Sequence, residues 1–157
     1  MTHTIERTVP ASPSRVWELW TTAEGISQWW APDGFRTDVT HLDLQPGGEL
    51  VYTMTAVAPE TVTFMEENGM PLSTESRKRF TEASKPTRLA YTSLIDFVPD
   101  HAPYEQLTEV ELTAVEGGTH IVMRMEPLHD EIWTQRLLAG RTNELENLAA
   151  LLSSEQG

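Results

Sequence analysis

Apolar residues near the N-terminus recur first at the two-residue spacing of a strand and then at the spacing of a helix. Residues 4–9 alternate enough to predict an edge strand, which Pro10 ends because proline cannot donate a hydrogen bond to a neighbouring strand. Ser12 and Pro13 are residue types that begin helices. Three apolar residues then share one helical face: Val16, Leu19 and Trp20.

A second short helix is predicted directly after the first. Thr21 and Glu24 have the spacing of a capping box, in which the two side chains cap the first turn of a helix. The apolar residues of this helix, also at helical spacing, are Ile26, Trp29 and Trp30. Residues 31–34, with the sequence APDG, are expected to end it.

From Phe35 onward the apolar period is two, which is typical of strands. The predicted strands are residues 35–44, 49–57, 74–83, 87–98, 105–115 and 119–126. A short helix interrupts them at residues 59–69, where Asn68-Gly69 is a typical helix end. In the last hairpin, Val110 and Leu112 alternate with Glu109 and Glu111. This alternation predicts an antiparallel sheet with one apolar face and one solvent-exposed face.

The chain ends in a predicted long helix at about residues 130–152. Its apolar stripe is formed by Leu138, Leu145, Leu148, Ala149 and Leu152. Together these elements predict an α+β fold in which a curved antiparallel sheet wraps around the C-terminal helix. No repeat or change in composition indicates a second domain, so we expect residues 1–157 to form one domain with a folded body at about residues 3–153.

Charge and composition exclude several classes of partner. The chain has 24 acidic and 11 basic residues, a formal net charge of −13, which opposes binding to nucleic acid or to an anionic membrane. It contains no cysteine, so disulfides, thiolate nucleophiles and cysteine-based zinc sites are excluded. The N-terminus has no secretory signal pattern and no apolar run is long enough to span a bilayer, so a cytoplasmic location is expected.

The sequence contains no recognisable catalytic motif. The five histidines lack metal-ligand spacing, and neither a nucleophile elbow nor a phosphate-binding glycine loop is present. We therefore expect no metal and no cofactor. Asp130 and Glu131 are explained by capping of the last helix, and the neighbouring His129 is interpreted as structural rather than as a general base. Glu109 and Glu111 share the solvent-exposed face and are not interpreted as a catalytic pair.

The order of elements and several local motifs resemble the START-like helix-grip superfamily, and in particular the branch of the activator homologue of heat-shock-protein-90 ATPase. The motifs that carry this resemblance are residues 5–7 (IER), 10–17 (PASPSRVW), 29–35 (WWAPDGF), 46–48 (PGG), 86–89 (PTRL) with Tyr91, 129–131 (HDE) with 133–134 (WT), and Gly140. The resemblance extends over nearly the whole chain. Most of these motifs are structural, so they indicate the fold and not an activity.

The resemblance implies a cavity between the sheet and the last helix that holds a small apolar or aromatic ligand. The predicted cavity lining is Trp29, Trp30, Tyr52, Met54, Met65, Phe80, Val110, Met123, Leu138, Arg141 and Leu145. Two alternatives stay open: a cyclase- or hydrolase-like enzyme that uses the same cavity, and a stress-response or chaperone-linked interaction domain. The chain is expected to be a monomer or weak homodimer. Residues 59–69 are predicted to be a lid over the cavity.

Two groups of basic residues stand out in this acidic chain, the run 77–79 and Arg141. In the run 77–79 (RKR), alternation places Arg77 and Arg79 on the exposed face, where we expect them to pair with glutamates, and Lys78 on the side of Phe80. Arg141 stands where the resembled branch usually has an aromatic residue, and its helical spacing places it on the sheet-facing stripe. It must therefore either extend to solvent or meet an acceptor, which would be a glutamate or the acidic group of a ligand.

Overall fold

The computed structural model describes residues 2–31, 34–96 and 98–156 of the chain. Its elements follow in the order β1 (His3–Val9), α1 (Pro13–Thr21), α2 (Ala23–Trp29), β2 (Phe35–Leu42), β3 (Glu49–Ala56), α3 (Pro59–Glu67), β4 (Ser73–Ser84), β5 (Arg88–Ile95), β6 (Tyr104–Val115), β7 (Gly118–Met125) and α4 (Glu131–Gln156). Two residues of the predicted stop after α2, Pro32 and Asp33, lie outside the described residues.

The strands form one curved antiparallel sheet. Within the described residues there are seven strands in the order β1-β7-β6-β5-β4-β3-β2, so every neighbour except β1 and β7 is also consecutive in the chain. Register shifts interrupt the pairing at residues 39–41 in β2 and at residues 80–82 in β4. Irregularities of this kind bend strands. The predicted α+β architecture is confirmed.

The two short helices begin at side-chain caps. Ser12 Oγ accepts a hydrogen bond from the amide of Arg15 at 3.2 Å, as expected for the start of α1. The predicted capping box at Thr21 is wrong by one residue. Thr22 caps α2 by accepting from the Gly25 amide at 2.9 Å, whereas Thr21 is the last residue of α1 and donates to the Trp17 carbonyl. The short α1–α2 connection accounts for the shift.

The C-terminal half of α4 packs against the core, while its N-terminal half lies over more polar groups. Asp130 caps α4 by accepting from the amide of Trp133 at 2.8 Å, as predicted. Four members of the predicted apolar stripe are buried: Leu145, Leu148, Ala149 and Leu152. Asn147 donates to the carbonyls of Trp29 and Ala31, which ties α4 to the end of α2.

The outer face of the sheet carries ion pairs. Arg88 contacts Glu109 at 3.4 Å, and Arg124 contacts Glu111 at 2.8 Å. Arg79 similarly contacts Glu105 at 3.4 Å. These glutamates therefore lie on the exposed side, as alternation predicts. Lys78, between Arg77 and Arg79, points to the opposite face and into the protein.

None of the described helices combines the length and the apolarity that crossing a membrane requires.

Candidate functional site

A cavity of about 250 Å³ lies between the middle of the sheet and the first half of α4. Strands β3, β4 and β5 form one wall, and the chain from Leu128 to Arg141 forms the other. The residues that line it are Tyr52, Ser76, Arg77, Lys78, Ser93, Leu94, Ile95, Leu128, Trp133, Arg136, Leu137 and Arg141. The cavity thus joins an aromatic and aliphatic surface to several cationic and hydroxyl groups.

Lys78 is the most deeply buried lining cation. Only 5% of the residue is exposed, because strand alternation places it on the same face as the buried Phe80. Its partner in the register between β4 and β5 is Ser93, and its Nζ donates to Ser93 Oγ at 2.7 Å. Among the described residues, no carboxylate forms an ion pair with Lys78.

Aromatic rings surround the Lys78 ammonium. Nζ lies 5.2 Å from the ring centroid of Tyr91, 5.6 Å from that of Trp30 and 5.8 Å from that of Tyr52. Trp30 and Tyr52 stack with centroids 5.3 Å apart, so the rings form one continuous wall. Cation–π contacts favour the charged amine by about 0.5–2 kcal/mol each, which offsets only part of the loss of hydration.

Burial lowers the pKa of Lys78 to about 7, with a further lowering by the positive charge of Arg141 and a smaller, opposing influence of Glu144. Removing an ammonium from water disfavours its charged form, and a nearby cation acts in the same direction. A substantial fraction of Lys78 is therefore a neutral amine at neutral pH. Burial also raises the pKa of Tyr52 to about 12 and raises that of Tyr91, so both phenols stay protonated.

Arg141 and Glu144 form a second buried charged group on α4. The guanidinium donates to Glu144 Oε1 at 2.9 Å across one helical turn, and the two side chains are 11% and 13% exposed. Burial opposes the charge of Arg141, the nearby Glu144 carboxylate favours it through its charge and its hydrogen bond, and the pKa of Arg141 lies above the usual value. The predicted pairing of Arg141 with a glutamate is present.

Some buried polar atoms near the Arg141–Glu144 ion pair have no hydrogen-bond partner among the described residues. Within the described residues, Arg141 Nε, Glu144 Oε2 and the indole nitrogen of Trp30 are buried without a hydrogen-bond partner. Buried polar groups are normally paired with protein or water, and of these three residues Arg141 lines the cavity, so it is a candidate for contact with a ligand. Arg141 and, when it is protonated, Lys78 leave the site able to accept negative charge.

The structure separates the predicted lining residues into several groups. Tyr52 and Arg141 line the cavity. Six others lie in the buried core: Trp29, Trp30, Phe80, Val110, Met123 and Leu145. Met54 and Leu138 pack against that core, partly buried, and Met65 lies partly buried on α3. Because these side chains fill the space between sheet and helices, the cavity is confined to the first half of α4. Their role as ligand contacts stays a prediction.

Sequence reasoning did not include Lys78, Ser93 and Glu144 in the site. The position of Lys78 beside Phe80 in an alternating strand was a usable signal, because it placed a charge on the core face. Glu144 could have been found as the acidic residue one turn after Arg141. Finding Ser93 requires knowledge of the strand register, which one sequence does not determine.

The predicted lid α3 contributes none of the residues that line the cavity, and its Phe64 is 57% exposed.

A curved antiparallel sheet closed by a long C-terminal helix, with a cavity between them, defines a START-like helix-grip protein. The family model described as "Activator of Hsp90 ATPase homolog 1-like protein" matches residues 10–153, and the chain belongs to this family. No curated protein is significantly similar to the chain.

Solved structures of proteins from several organisms share the fold. A protein from Chromobacterium violaceum superposes with a TM-score of 0.76 at 22% identity, over 96% of each chain. An AHSA1-like protein from Aeromonas hydrophila gives 0.76 at 20% identity, over 99% of this chain and 94% of that one. An AHSA1 protein from Silicibacter pomeroyi gives 0.75 at 19% identity, over 99% of both chains. At these identities the likeness concerns the fold alone.

The buried ion pair generates a prediction about stability. Arg141→Met leaves the Glu144 carboxylate buried without its partner, and we expect a loss of about 3 kcal/mol in the free energy of unfolding. Arg141→Met combined with Glu144→Met removes both charges, and we expect most of the loss to be recovered. Urea denaturation of the variants measures both values. A double variant no more stable than the single one would contradict the coupling.

Lys78 generates a prediction about pH. Its folded pKa of about 7 lies below its usual value of about 10.4, so between these values the unfolded chain binds more protons. The free energy of unfolding therefore rises with pH, by about 2 kcal/mol from pH 7 to pH 9 relative to Lys78→Met. Urea denaturation across this range measures the rise before the tyrosines titrate. Lys85→Met, at an exposed lysine, should keep the wild-type slope. A wild type that gains no stability over Lys78→Met would contradict the low pKa.

Proposed function

We propose that this protein binds a small, largely apolar or aromatic molecule in the cavity between the sheet and α4. The observation that carries the proposal is the cavity itself, whose aliphatic and aromatic lining includes Arg141, and Arg141 Nε is buried without a hydrogen-bond partner among the described residues. Ligand sites are commonly apolar cavities with a few convergent polar groups. The fold belongs to a superfamily whose members commonly bind hydrophobic ligands in the same place.

The volume restricts the size of the ligand. An apolar cavity of about 150 Å³ accommodates benzene, and typical pockets for drug-sized ligands begin at about 300 Å³. A cavity of about 250 Å³ suits one ring with a short substituent. Long fatty acids and fused polyketides exceed this volume and would extend out of its open side.

Arg141 favours an acidic substituent on that ligand. Its guanidinium uses one nitrogen for Glu144, while Nε is buried and without a partner among the described residues. A guanidinium presents donors in a planar arrangement that matches a carboxylate. Lys78 adds positive charge when it is protonated. We therefore propose an aromatic or branched acid as the ligand class.

An enzyme that uses the same cavity is the second candidate function, and the specific observation in its favour is the buried Lys78.

The charge of −13 supports a protein that acts without nucleic acid or membrane partners, and we propose a monomer or weak homodimer in the cytoplasm.

Ligand binding is tested with a matched pair of probes, phenylacetate and phenylacetamide. We expect saturable quenching of tryptophan fluorescence by both, because Trp133 lines the cavity, with phenylacetate bound roughly tenfold more tightly through the charge-assisted contact with Arg141. The Arg141→Met, Glu144→Met double variant should lose most of the preference for the acid and keep only the part that protonated Lys78 supplies, and its fold keeps no buried unpaired charge from this pair.

Arg136→Met is the matched control, because Arg136 also lines the cavity but contacts the ring of Trp133 and not Glu144. It should keep the preference for the acid. Absence of saturable binding by either probe contradicts the proposed function. Equal binding of both probes to the wild type contradicts only the acidic ligand class.

A further inference from the structure

Lys78 is in an unusual position for a lysine. Lys78 lines the cavity, and its amine lies in the protein interior, where its one hydrogen bond among the described residues is to Ser93. The titratable and charged groups around it are Tyr52 from β3, Tyr91 from β5, and Arg141 with Glu144 from α4. Among the described residues none of these carboxylates or phenols pairs with it, and the nearby guanidinium disfavours its positive charge.

A structural lysine would be expected to reach solvent or a carboxylate. Lysine side chains usually extend the ammonium to water, and a buried ammonium without a carboxylate is costly. An amine that is desolvated beside another cation is, in contrast, an arrangement that activates lysine as a nucleophile. Exposed Lys85, which lies in the connection between β4 and β5, shows the ordinary alternative within the same chain.

We propose that Lys78 is a nucleophilic amine that captures the carbonyl group of a small aldehyde or oxo acid in the cavity as an imine. The inference rests on the proposed function, because the carbonyl compound must first enter this cavity. Arg141 would hold the carboxylate of an oxo acid while the Lys78 amine reaches its carbonyl carbon.

The chemistry needs no reagent beyond the carbonyl compound. The lone pair of the neutral amine forms a bond from Nζ to the carbonyl carbon as the carbonyl π electrons move to oxygen. Proton transfer from nitrogen to that oxygen gives a carbinolamine. Loss of the hydroxyl group together with the second amine proton releases one water and leaves the imine. Ser93 Oγ, 2.7 Å from Nζ, is placed to carry protons in these transfers.

The presence of only two lysines makes a direct test possible. The chain contains Lys78 and Lys85, and the protein is incubated with benzaldehyde and sodium cyanoborohydride, which reduces imines to stable benzyl amines. Peptide mass spectrometry then compares the two sites. At pH 7 we expect Lys78 to be modified roughly tenfold more than Lys85, because a substantial fraction of the buried amine is neutral there and the cavity holds the aldehyde beside it. Modification at Lys78 should level off above pH 8.

Variants separate this activity from simple binding. Lys78→Arg keeps a cation in the cavity but cannot form an imine, so modification there should be lost while Lys85 is modified as before. Ser93→Ala should slow modification of Lys78 and leave modification of Lys85 as in the wild type. Circular dichroism and phenylacetamide binding confirm that each variant is folded.

Equal or weaker modification of Lys78 than of Lys85, in protein that binds phenylacetamide, overturns the proposal and leaves the proposed function standing. The same result in protein that binds neither phenylacetamide nor phenylacetate overturns both. A modification of Lys78 that keeps rising with pH above pH 8 also overturns the proposal, since it shows an ordinary amine.

Discussion

The site depends on one constraint, which is that three charged side chains lie in the interior beneath the first half of α4. Lys78 comes from the sheet, and Arg141 and Glu144 come from the helix. Close packing of aliphatic side chains against these groups would remove their remaining hydration without supplying partners, which is unfavourable. The cavity and the unpaired polar atoms are therefore consequences of the same choice of residues.

The two halves of α4 have different roles as a result. Leu145, Leu148 and Leu152 are almost fully buried and hold the helix against the core. The first half carries Trp133, Leu137 and Arg141 over the cavity. Native proteins are only marginally stable, so a lysine that is harder to protonate when folded has to be supported by packing elsewhere. The continuous core next to the site supplies that support, and it explains how a polar cavity persists in a domain of this size.

Much of the fold could be predicted because it follows from local periodicity. The alternation of Val110 and Leu112 with Glu109 and Glu111 defined the two faces of the sheet, and the stripe that ends at Leu152 defined the buried side of α4. The extent of the cavity was not predictable in the same way. Phe80 and Met123 are residue types that commonly line apolar ligand pockets. Whether they contact a ligand or one another depends on packing between elements that are distant in sequence. Arg141 was found because it departs from the pattern of the resembled family. The pairing of Lys78 with Ser93 depends on a strand register, and the bulge at residues 80–82 alters that register locally.

The central claim is that Lys78 titrates near neutrality within the folded protein. Nuclear magnetic resonance of protein labelled with ¹³C at the lysine Cε measures it directly, because the chain has only two lysines and Lys85→Arg assigns the signals. We predict that the Cε signal of Lys78 titrates with a pKa of about 7. A Lys78 signal that titrates near the usual lysine value of about 10.4 would contradict this.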